Sequence, residues 1–191
     1  VPEIWIEFSK RSGIPELART TRDEPDYDKL MRFRLDTLAE HGMKLADIEA
    51  VIETLAPLPG AREFLDELRT RYQVVILSDT FYEFARPLMK QLGWPTLFCH
   101  RLQVDEAGAL TDYRLRMPDQ KRAAVQAFQG LNFCVVAVGD SYNDTSMLGM
   151  ADVGFFLHAP EQIAHQFPDF RAHHDYDALL ESIDRVAKGF P

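Results

Sequence analysis

Cysteine is scarce in this sequence, with two residues among 191, Cys99 and Cys134. Their spacing fits no metal site, and their apolar neighbours predict buried thiols in a reducing cytoplasm. No apolar run approaches the roughly 18 residues of a membrane-spanning helix. Lysine and arginine form no cluster and the net charge is −9, which argues against a nucleic-acid groove but not against a small local anion site. The sequence does not fix the oligomeric state, and a homodimer stays an open alternative.

The chain length suits one core domain with room for a small insertion. Its first part carries only helical patterns: Ile4, Trp5 and Phe8 share one helical face, and a second apolar stripe follows. Asp47 is expected to cap a third helix. We therefore predict a helical cap domain over residues 1–57, which packs as a lid over a site elsewhere in the chain.

Residues 58–191 alternate between strand and helix patterns. Short apolar runs predict buried strands at Val74–Leu77, Val135–Val138 and Val153–Leu157, with amphipathic helices between them. A β-hairpin is predicted near residues 99–117. The pattern indicates an α/β core domain over 58–191, built on a doubly wound parallel sheet with right-handed crossovers.

The most informative stretch is GDSYND, residues 139–144, where carboxylates directly follow a predicted buried strand. In open α/β sheets, ligands bind at this edge. The alternative is a capped turn, because Asp and Asn suit turns and N-caps. A turn accounts for one or two of the polar residues, but not for Asp140 against the strand end with Asn143 and Asp144 in the following turn. We therefore favour a ligand site.

Two other polar side chains hold related positions. Ser78 follows Val74–Leu77, and Lys121 lies in the first turn of a helix predicted to start at Asp119. Parallel strands end at one edge of a sheet, so a hydroxyl, an ammonium and the carboxylates are expected to meet there. Such a set suits a phosphoryl group and Mg²⁺. Taken singly, Ser78 could cap the next helix, and Lys121 could be a solvated lysine.

Together, Ser-Asp-Thr after VVIL, then Lys121, then VGDSYND resemble the second, third and fourth motifs of the haloacid dehalogenase superfamily of phosphohydrolases. Within it the chain resembles the phosphoserine phosphatase family, in particular its bacterial members that also transfer the phosphoryl group to homoserine. The likeness covers essentially the whole chain, and GDSYND is its strongest motif. It implies an Mg²⁺-dependent enzyme that acts on phosphoserine through an aspartyl phosphate, with water or homoserine as the acceptor.

The resemblance implies a role for each matching residue. Ser78 would bind the transferring phosphoryl group, and Lys121 would pair with that group and with the nucleophile. Asp140 would ligate Mg²⁺ directly, and Asp144 would hold a metal-bound water or the loop. Asn143 would contact the phosphate or the rest of the substrate.

Three more residues are expected to bind the substrate, of which Glu3 and Arg34 would contact its amino acid part. Glu3 resembles a glutamate of the lid that recognises the ammonium group, and Asp79 follows Ser78 in the second motif. Arg34 resembles the arginine that pairs with the substrate carboxylate, which a guanidinium can bind bidentately. The alternatives are an exposed acid for Glu3 and a surface salt bridge for Arg34, which Arg32 could make equally well.

The first motif of the family, a strand that ends in Asp-x-Asp or Asp-x-Glu, has no counterpart in this sequence. In the family its first aspartate is the nucleophile and its second acidic residue is the general acid and base. Asp23, Asp26 and Asp28 do not replace it, because no buried strand precedes them. Without that strand the core would leave two strand edges unpaired. We expect the intact protein to be longer by about a dozen residues, the length of one strand and its loop.

Two other functions stay open at this point. A phosphatase of the same fold that acts on another small phosphomonoester would not need Glu3 and Arg34 near each other. Without the first motif, the chain could instead be an inactive relative that binds Mg²⁺ or phosphate, or that docks a partner.

Overall fold

The computed structural model describes residues 4–20, 23–24 and 26–190. The helices in these ranges are α1 (Ile4–Ser12), α2 (Tyr27–Glu40), α3 (Leu45–Glu53), α4 (Ala61–Arg69), α5 (Tyr82–Gln91), α6 (Gln120–Gly130), α7 (Thr145–Met150), α8 (Glu161–Gln166) and α9 (Tyr176–Ala187). The strands are β1 (Val75–Phe81), β2 (Thr96–Val104), β3 (Leu110–Arg114), β4 (Val136–Gly139), β5 (Val153–Leu157) and β6 (Arg171–His173). Short 3₁₀ helices lie at Pro15–Ala18 and Tyr142–Asp144. None of the helices described combines the length and the apolar character that crossing a bilayer requires.

The described strands form two three-stranded sheets. In the first sheet β1 runs parallel to β2, and β2 runs antiparallel to β3. In the second sheet β4, β5 and β6 are parallel to one another. The predicted α/β architecture with parallel strands is confirmed, and so is the hairpin, which β2 and β3 form. β2 has a second role that the sequence does not predict, which is to pair in parallel with β1.

The chain divides into two compact units. The first unit combines the described residues up to Leu65 with Val74–Arg116, and it contains α1, α2, α3, α5 and the β1-β2-β3 sheet. The second combines Asp66–Gln73 with the residues from Met117 onward, and it contains α6 to α9 and the β4-β5-β6 sheet. The predicted division of the chain at residue 57 into cap and core stays a prediction.

In the first unit, α1, α2 and α3 bury their apolar stripes together with α5 and the hairpin. Phe8, Met31 and Ile52 are fully buried, and they share one cluster with Phe84 of α5 and Leu102 of β2. Burial of one such side chain stabilises the fold by about 1.5–3 kcal/mol. The helices near the start of the chain are therefore held by a mixed helix-and-sheet core.

In the second unit, helices cover the parallel sheet. Phe156 of β5, Leu148 of α7 and Leu179 of α9 are buried, and both α7 and α9 contact β5. Buried strands of this kind read as continuous apolar runs, which is why β4 and β5 are apparent in the sequence.

One predicted helix cap is wrong. Asp47 is not the N-cap residue of α3, because the helix begins at Leu45 and Lys44 holds that position, but its side chain takes part in the capping box. Asp47 instead lies in the first turn, where its carboxylate accepts the backbone N–H of Lys44 at 2.7 Å.

The two cysteines differ in their exposure. Cys99 on β2 is buried as predicted, whereas Cys134 is exposed and its predicted burial is wrong. The reason is that β4 begins at Val136, so Cys134 lies in the loop before the strand. The cytoplasmic location inferred from these thiols stays a prediction.

Candidate functional site

The GDSYND stretch forms a tight loop at the carboxyl end of β4. Gly139 is the last residue of the strand, and the 3₁₀ turn Tyr142–Asp144 leads directly into α7. Asp140 and Asn143 are exposed, whereas Asp144 is buried. The two carboxylates of the motif therefore have different surroundings, although they are four residues apart.

The Asp144 carboxylate is the anchor of this loop. Its Oδ2 accepts the backbone N–H groups of Asp140 at 3.0 Å and Ser141 at 3.2 Å, and also the Ser141 hydroxyl at 3.1 Å. Its Oδ1 accepts from Lys121 Nζ at 2.9 Å. Asp144 is 6% exposed and Lys121 9%, so this is a buried ion pair that is also hydrogen-bonded to the loop backbone. Such a pair holds the loop in one conformation.

Gly139 makes this anchoring sterically feasible. A Cβ atom built on Gly139 would lie 2.4 Å from the Cβ of Asp144 and 2.8 Å from its Cγ and Oδ2. These distances are below any normal contact, so a side chain at residue 139 would push Asp144 away from the strand end. The glycine is needed here for close approach, as glycines in strands often are.

Electrostatics separate the two carboxylates further. Burial disfavours the charged form of Asp144, but the Lys121 ammonium and the donated hydrogen bonds outweigh it and lower the pKa of Asp144. Desolvation of the Asp140 carboxyl and the negative charge of Asp144 raise the pKa of Asp140. Asp144 is thus the fixed anion of the pair, and Asp140 is the carboxylate that gains most from a nearby cation.

A hydrogen bond close to Lys121 joins α6 to α7. Asp119 precedes α6 in the left-handed region at φ 43°, and its carboxylate accepts the hydroxyl of Ser146 in α7 at 3.0 Å. Aspartate tolerates this backbone conformation better than most residues. This hydrogen bond joins the start of α6, where Lys121 lies, to α7, which follows Asp144.

The carboxylates of this loop differ in their suitability for Mg²⁺. Mg²⁺ usually binds through one or two carboxylates together with waters and substrate phosphate. The exposed Asp140 carboxylate suits that role, whereas both oxygens of Asp144 already accept hydrogen bonds. Among the residues that the structure describes, no group of three or more His, Cys, Asp or Glu side chains could hold a metal by itself. The loop therefore offers Mg²⁺ one suitable carboxylate, that of Asp140.

The end of β1 differs from the end of β4. The strand runs on through Ser78, Asp79 and Thr80 to Phe81, and its register with β2 shifts between Leu77 and Phe81. The Thr80 N–H donates to Ser78 Oγ at 3.3 Å. Ser78 is partly buried and Asp79 is exposed. The predicted strand ends at Leu77, whereas the observed strand continues irregularly to Phe81.

His100 is a residue of this region that sequence reasoning missed. It is buried on β2, its Nε2 lies 3.9 Å from Asp79 Oδ1, and its Nδ1 accepts the backbone N–H of Arg116 at 3.1 Å. In the parallel register it lies opposite Phe81. The signal in the sequence is a histidine directly after the apolar run Leu97–Cys99.

The two arginines of α2 have different environments. Arg34 is 6% exposed, its guanidinium lies 4.4 Å above the Trp5 ring, and it donates to the Arg19 carbonyl at 2.6 Å. Arg32 is on the surface, where it pairs with Asp112 at 2.6 Å. The surface salt bridge that was the alternative for Arg34 is therefore made by Arg32.

Tyr27 lies two helical turns before Arg34 on the same face of α2. Burial raises the pKa of Tyr27 to about 12; the Arg34 charge lowers it and the Asp79 charge raises it. Both charges therefore act on the same phenol.

The candidate residues fall in both units. Lys121, Asp140 and Asp144 come together in the second unit, where Asn143 lies in the same loop. Ser78, Asp79 and Arg34 belong to the first unit. Glu3 lies outside the described residues. The predicted convergence of Ser78 with Lys121 and Asp140 on one phosphoryl group stays a prediction.

Comparisons with known proteins place the chain in a family of hydrolases. A family model described as haloacid dehalogenase-like hydrolase matches residues 5–152. The chain is 60% identical over 187 residues to a phosphoserine phosphatase of Pseudomonas syringae. The match covers 98% of this chain and 79% of the relative. It is 58% identical to "Phosphoserine phosphatase ThrH" of Pseudomonas aeruginosa, over 94% of this chain and 87% of the relative.

One solved structure with a similar fold is the phosphoserine phosphatase from T. onnurineus. The TM-score is 0.69 with 24% sequence identity, and the match covers 95% of this chain and 86% of that chain. At this identity the likeness concerns the fold alone.

Proposed function

The chain belongs to the haloacid dehalogenase-like hydrolase family, and from this premise we propose that it hydrolyses the phosphate ester of phosphoserine. The observation that carries the proposal is the loop after β4, in which the Lys121–Asp144 pair fixes the backbone and leaves Asp140 exposed. A fixed loop with one exposed carboxylate suits a phosphoryl-transfer site, where catalysis depends on positioning and on charge stabilisation.

Mg²⁺ is the cofactor that we propose for this site, with Asp140 as its ligand from the described chain. When bound, the ion would offset the negative charge of the phosphoryl oxygens. We assign Asp144 to the loop, because its oxygens are occupied by Lys121 and by the backbone N–H groups. Lys121 adds a fixed positive charge to the same region. Asn143 is exposed in the loop, where it would contact the substrate.

Recognition of the amino acid part is assigned to the first unit. The buried Arg34 guanidinium, stacked on Trp5, is suited to bind the α-carboxylate of phosphoserine. Arg32 suits this role less well, because water screens a charge at the surface and because its guanidinium is already paired with Asp112. Ser78, near the end of β1, would bind a phosphoryl oxygen through its hydroxyl.

The chemistry implied by the family is covalent. An aspartate oxygen attacks phosphorus, the bond to the serine oxygen breaks, and the departing oxygen takes a proton from the general acid. Water then attacks the aspartyl phosphate and releases inorganic phosphate. Because the two steps are separate, a second hydroxyl can replace water, and we propose homoserine as such an acceptor. The nucleophile belongs to the first motif of the family, which the 191 residues do not contain, so the assays below use a chain that includes that motif.

The first test measures phosphate release from phosphoserine with Mg²⁺ present. We expect turnover by the wild type, and its loss in Asp140→Asn. Asp169→Asn, an exposed aspartate of the same unit, is the control and should retain wild-type activity. Near-normal Mg²⁺-dependent activity in Asp140→Asn would overturn the metal assignment.

The second test compares substrates and arginines. Arg34→Ala should raise the KM for phosphoserine but spare a nitrophenyl phosphate ester, which has no carboxylate. Arg32→Ala, on the same helix, should change neither value. Equal losses on both esters in Arg34→Ala would contradict the carboxylate role, and turnover of other phosphomonoesters in preference to phosphoserine would contradict the proposed substrate.

A further inference from the structure

A groove lies between α3 and α5 on the surface of the first unit. It encloses a cavity of about 330 Å³, and all of its lining residues belong to that unit. They come from the two helices and from the turn that follows α5, and they are Glu49, Glu53, Arg86, Pro87, Lys90 and Trp94. We call this surface the α3–α5 groove. None of its residues belongs to the site proposed above.

The two walls of the α3–α5 groove carry opposite charges. Glu49 and Glu53 are four residues apart on α3, so they lie on one face of that helix, about 6 Å apart along its axis. Arg86 and Lys90 have the same spacing on α5. Across the described ranges, no ion pair joins either glutamate to either basic residue. An acidic row and a basic row therefore face the same cavity without neutralising each other.

Trp94 adds an exposed aromatic side chain to the α3–α5 groove, with 59% of its surface accessible. Its backbone is fixed, because the Trp94 N–H donates to the Met89 carbonyl at 2.8 Å. Its φ of 57° lies in the left-handed region, which is uncommon for a residue with a bulky side chain. An indole held in this way and left in water is typical of an interface anchor, since tryptophan is enriched among the residues that dominate binding energy.

We propose that the α3–α5 groove is the interface of a homodimer, in which a second copy of this chain lies face to face with the first. Two-fold symmetry is the commonest arrangement of such dimers, and it makes each copy use the same surface. When the axis runs along the groove, α3 of one copy faces α5 of the other, and each acidic row meets a basic row. When the axis runs across the groove, α3 faces α3 and like charges repel. The charges therefore select the first arrangement.

A second copy accounts for the charges and the aromatic side chain together. Single exposed ion pairs contribute little, and a small zwitterion has only one charge for each wall. A second copy meets both rows at once, and it does so twice in a symmetric dimer. Burial of Trp94 supplies affinity, whereas the charged rows set the orientation of the two copies. This inference goes beyond the proposed function and does not depend on it.

The first test is the mass of the chain in solution, measured by sedimentation over a range of protein concentrations. The chain is the one used in the activity assays. We expect a dimer whose dissociation constant rises with ionic strength, because salt screens the charged rows. A wild type that is monomeric at about 1 mM would overturn the proposal, since any dimer with a Kd below that value is populated there.

The decisive test reverses one wall at a time. Glu49→Lys with Glu53→Lys makes both walls basic, and Arg86→Glu with Lys90→Glu makes both walls acidic. Each double variant alone should dimerise at least about 10-fold more weakly than the wild type, because like charges then meet across the interface. An equimolar mixture of the two should regain dimers, since every row again meets its opposite. Wild-type dimerisation by each variant alone, or a mixture of folded variants that stays monomeric, would overturn the proposal.

A matched control separates the groove from net charge. Asp36→Lys with Glu40→Lys reverses two exposed charges at the same spacing on α2, outside the groove, and should keep the wild-type Kd. Trp94→Ala should raise the Kd about 30-fold, the loss expected for an aromatic anchor at an interface. Equal weakening by the control and the groove variants, or an unchanged Kd in Trp94→Ala, would contradict the assignment of the interface to the α3–α5 groove.

Discussion

The ends of β1 and β4 carry the same sequence pattern, an apolar strand followed by small polar residues and a helix, but they fold differently. At β4 the chain leaves the sheet at Gly139 and closes on Asp144, whose carboxylate is saturated by donors from its own unit. At β1 the chain stays extended through Asp79, which remains exposed. The first end is closed on a buried ion pair, and the second leaves the Asp79 side chain exposed.

The difference follows from where the anchoring charge lies. The β4 loop contains its own anchor in Asp144, and a neighbouring helix supplies the counter-charge from Lys121. The polar residues of β1 are held by the strand backbone and by His100 of β2. Variants that remove these anchors therefore test whether the two ends play different roles.

The largest effect is expected from Asp144→Ala. It leaves the Lys121 ammonium buried without its carboxylate, and breaking a buried ion pair in this way costs about 3–5 kcal/mol of unfolding free energy. Urea unfolding measures the loss. The double variant Asp144→Ala with Lys121→Met should recover a large part of it, because no unpaired charge then remains buried. A loss below about 1 kcal/mol in the single variant would show that the loop is not anchored as described.

The next largest loss of stability is expected at Gly139, which lies close to the Asp144 carboxylate. Gly139→Ala forces a methyl group to within 2.4 Å of the Asp144 Cβ, and overpacking of this kind costs about 1–3 kcal/mol. Gly149→Ala in α7 is the matched control, since the nearest atom to its added Cβ is 3.8 Å away. The control should be neutral or stabilising by up to about 1 kcal/mol, because alanine favours helices. Equal destabilisation of both variants would contradict the close-approach argument.

At the β1 end we expect a smaller loss of stability from Ser78→Ala. The hydroxyl accepts a long hydrogen bond from the Thr80 N–H at 3.3 Å, and such a bond contributes about 1 kcal/mol or less. Phosphatase activity should nevertheless fall, because the hydroxyl is assigned to the phosphoryl group. Should Ser78→Ala destabilise the protein as strongly as Asp144→Ala, the contrast between the two strand ends would be wrong.

The smallest effect is a pH dependence in the second unit. His173 on β6 is buried, packs edge-on against Phe155 at 5.4 Å, and its Nε2 has no hydrogen-bond partner in the described part of the chain. Burial and the Arg171 charge lower the pKa of His173, although Asp175 opposes them.

The sign of that dependence follows from the lowered pKa. An unfolded histidine titrates near about 6.5 and therefore binds its proton before the folded one does. Stability is complete above that pH and is lost as the pH falls through the folded pKa. Melting temperatures between pH 7 and pH 5 should fall more steeply for wild type than for His173→Leu. His165→Gln, an exposed control, should follow the wild type, and a slope unchanged by His173→Leu would contradict the assignment.

Much of the fold can be predicted from the sequence, because its periodic apolar patterns correspond to real burial. The strands β4 and β5 and the helix with Phe84 and Leu88 are where the patterns indicate. β6 is missed because Arg171–His173 has three residues and no apolar run, so its strand character comes only from pairing with β5.

The site can be predicted less completely. The identities of Asp140, Asp144 and Lys121 follow from the motif, but nothing in the spacing reveals that Lys121 and Asp144 pair with each other inside the protein. The role of Gly139 is likewise invisible until the path of the chain brings Asp144 over it. His100 is missed because its importance depends on the register between β1 and β2, which is a tertiary property.

The stacking of Arg34 on Trp5 gives the protein a built-in optical reporter. The sequence has two tryptophans, and the other, Trp94, is 59% exposed. Replacement of Trp94 by phenylalanine would leave an emission spectrum dominated by the indole that lies 4.4 Å beneath the guanidinium. Under the carboxylate role proposed for Arg34, serine would alter the charge above that ring when it binds, and the titration would be followed by intensity or wavelength in real time, without labels and without turnover.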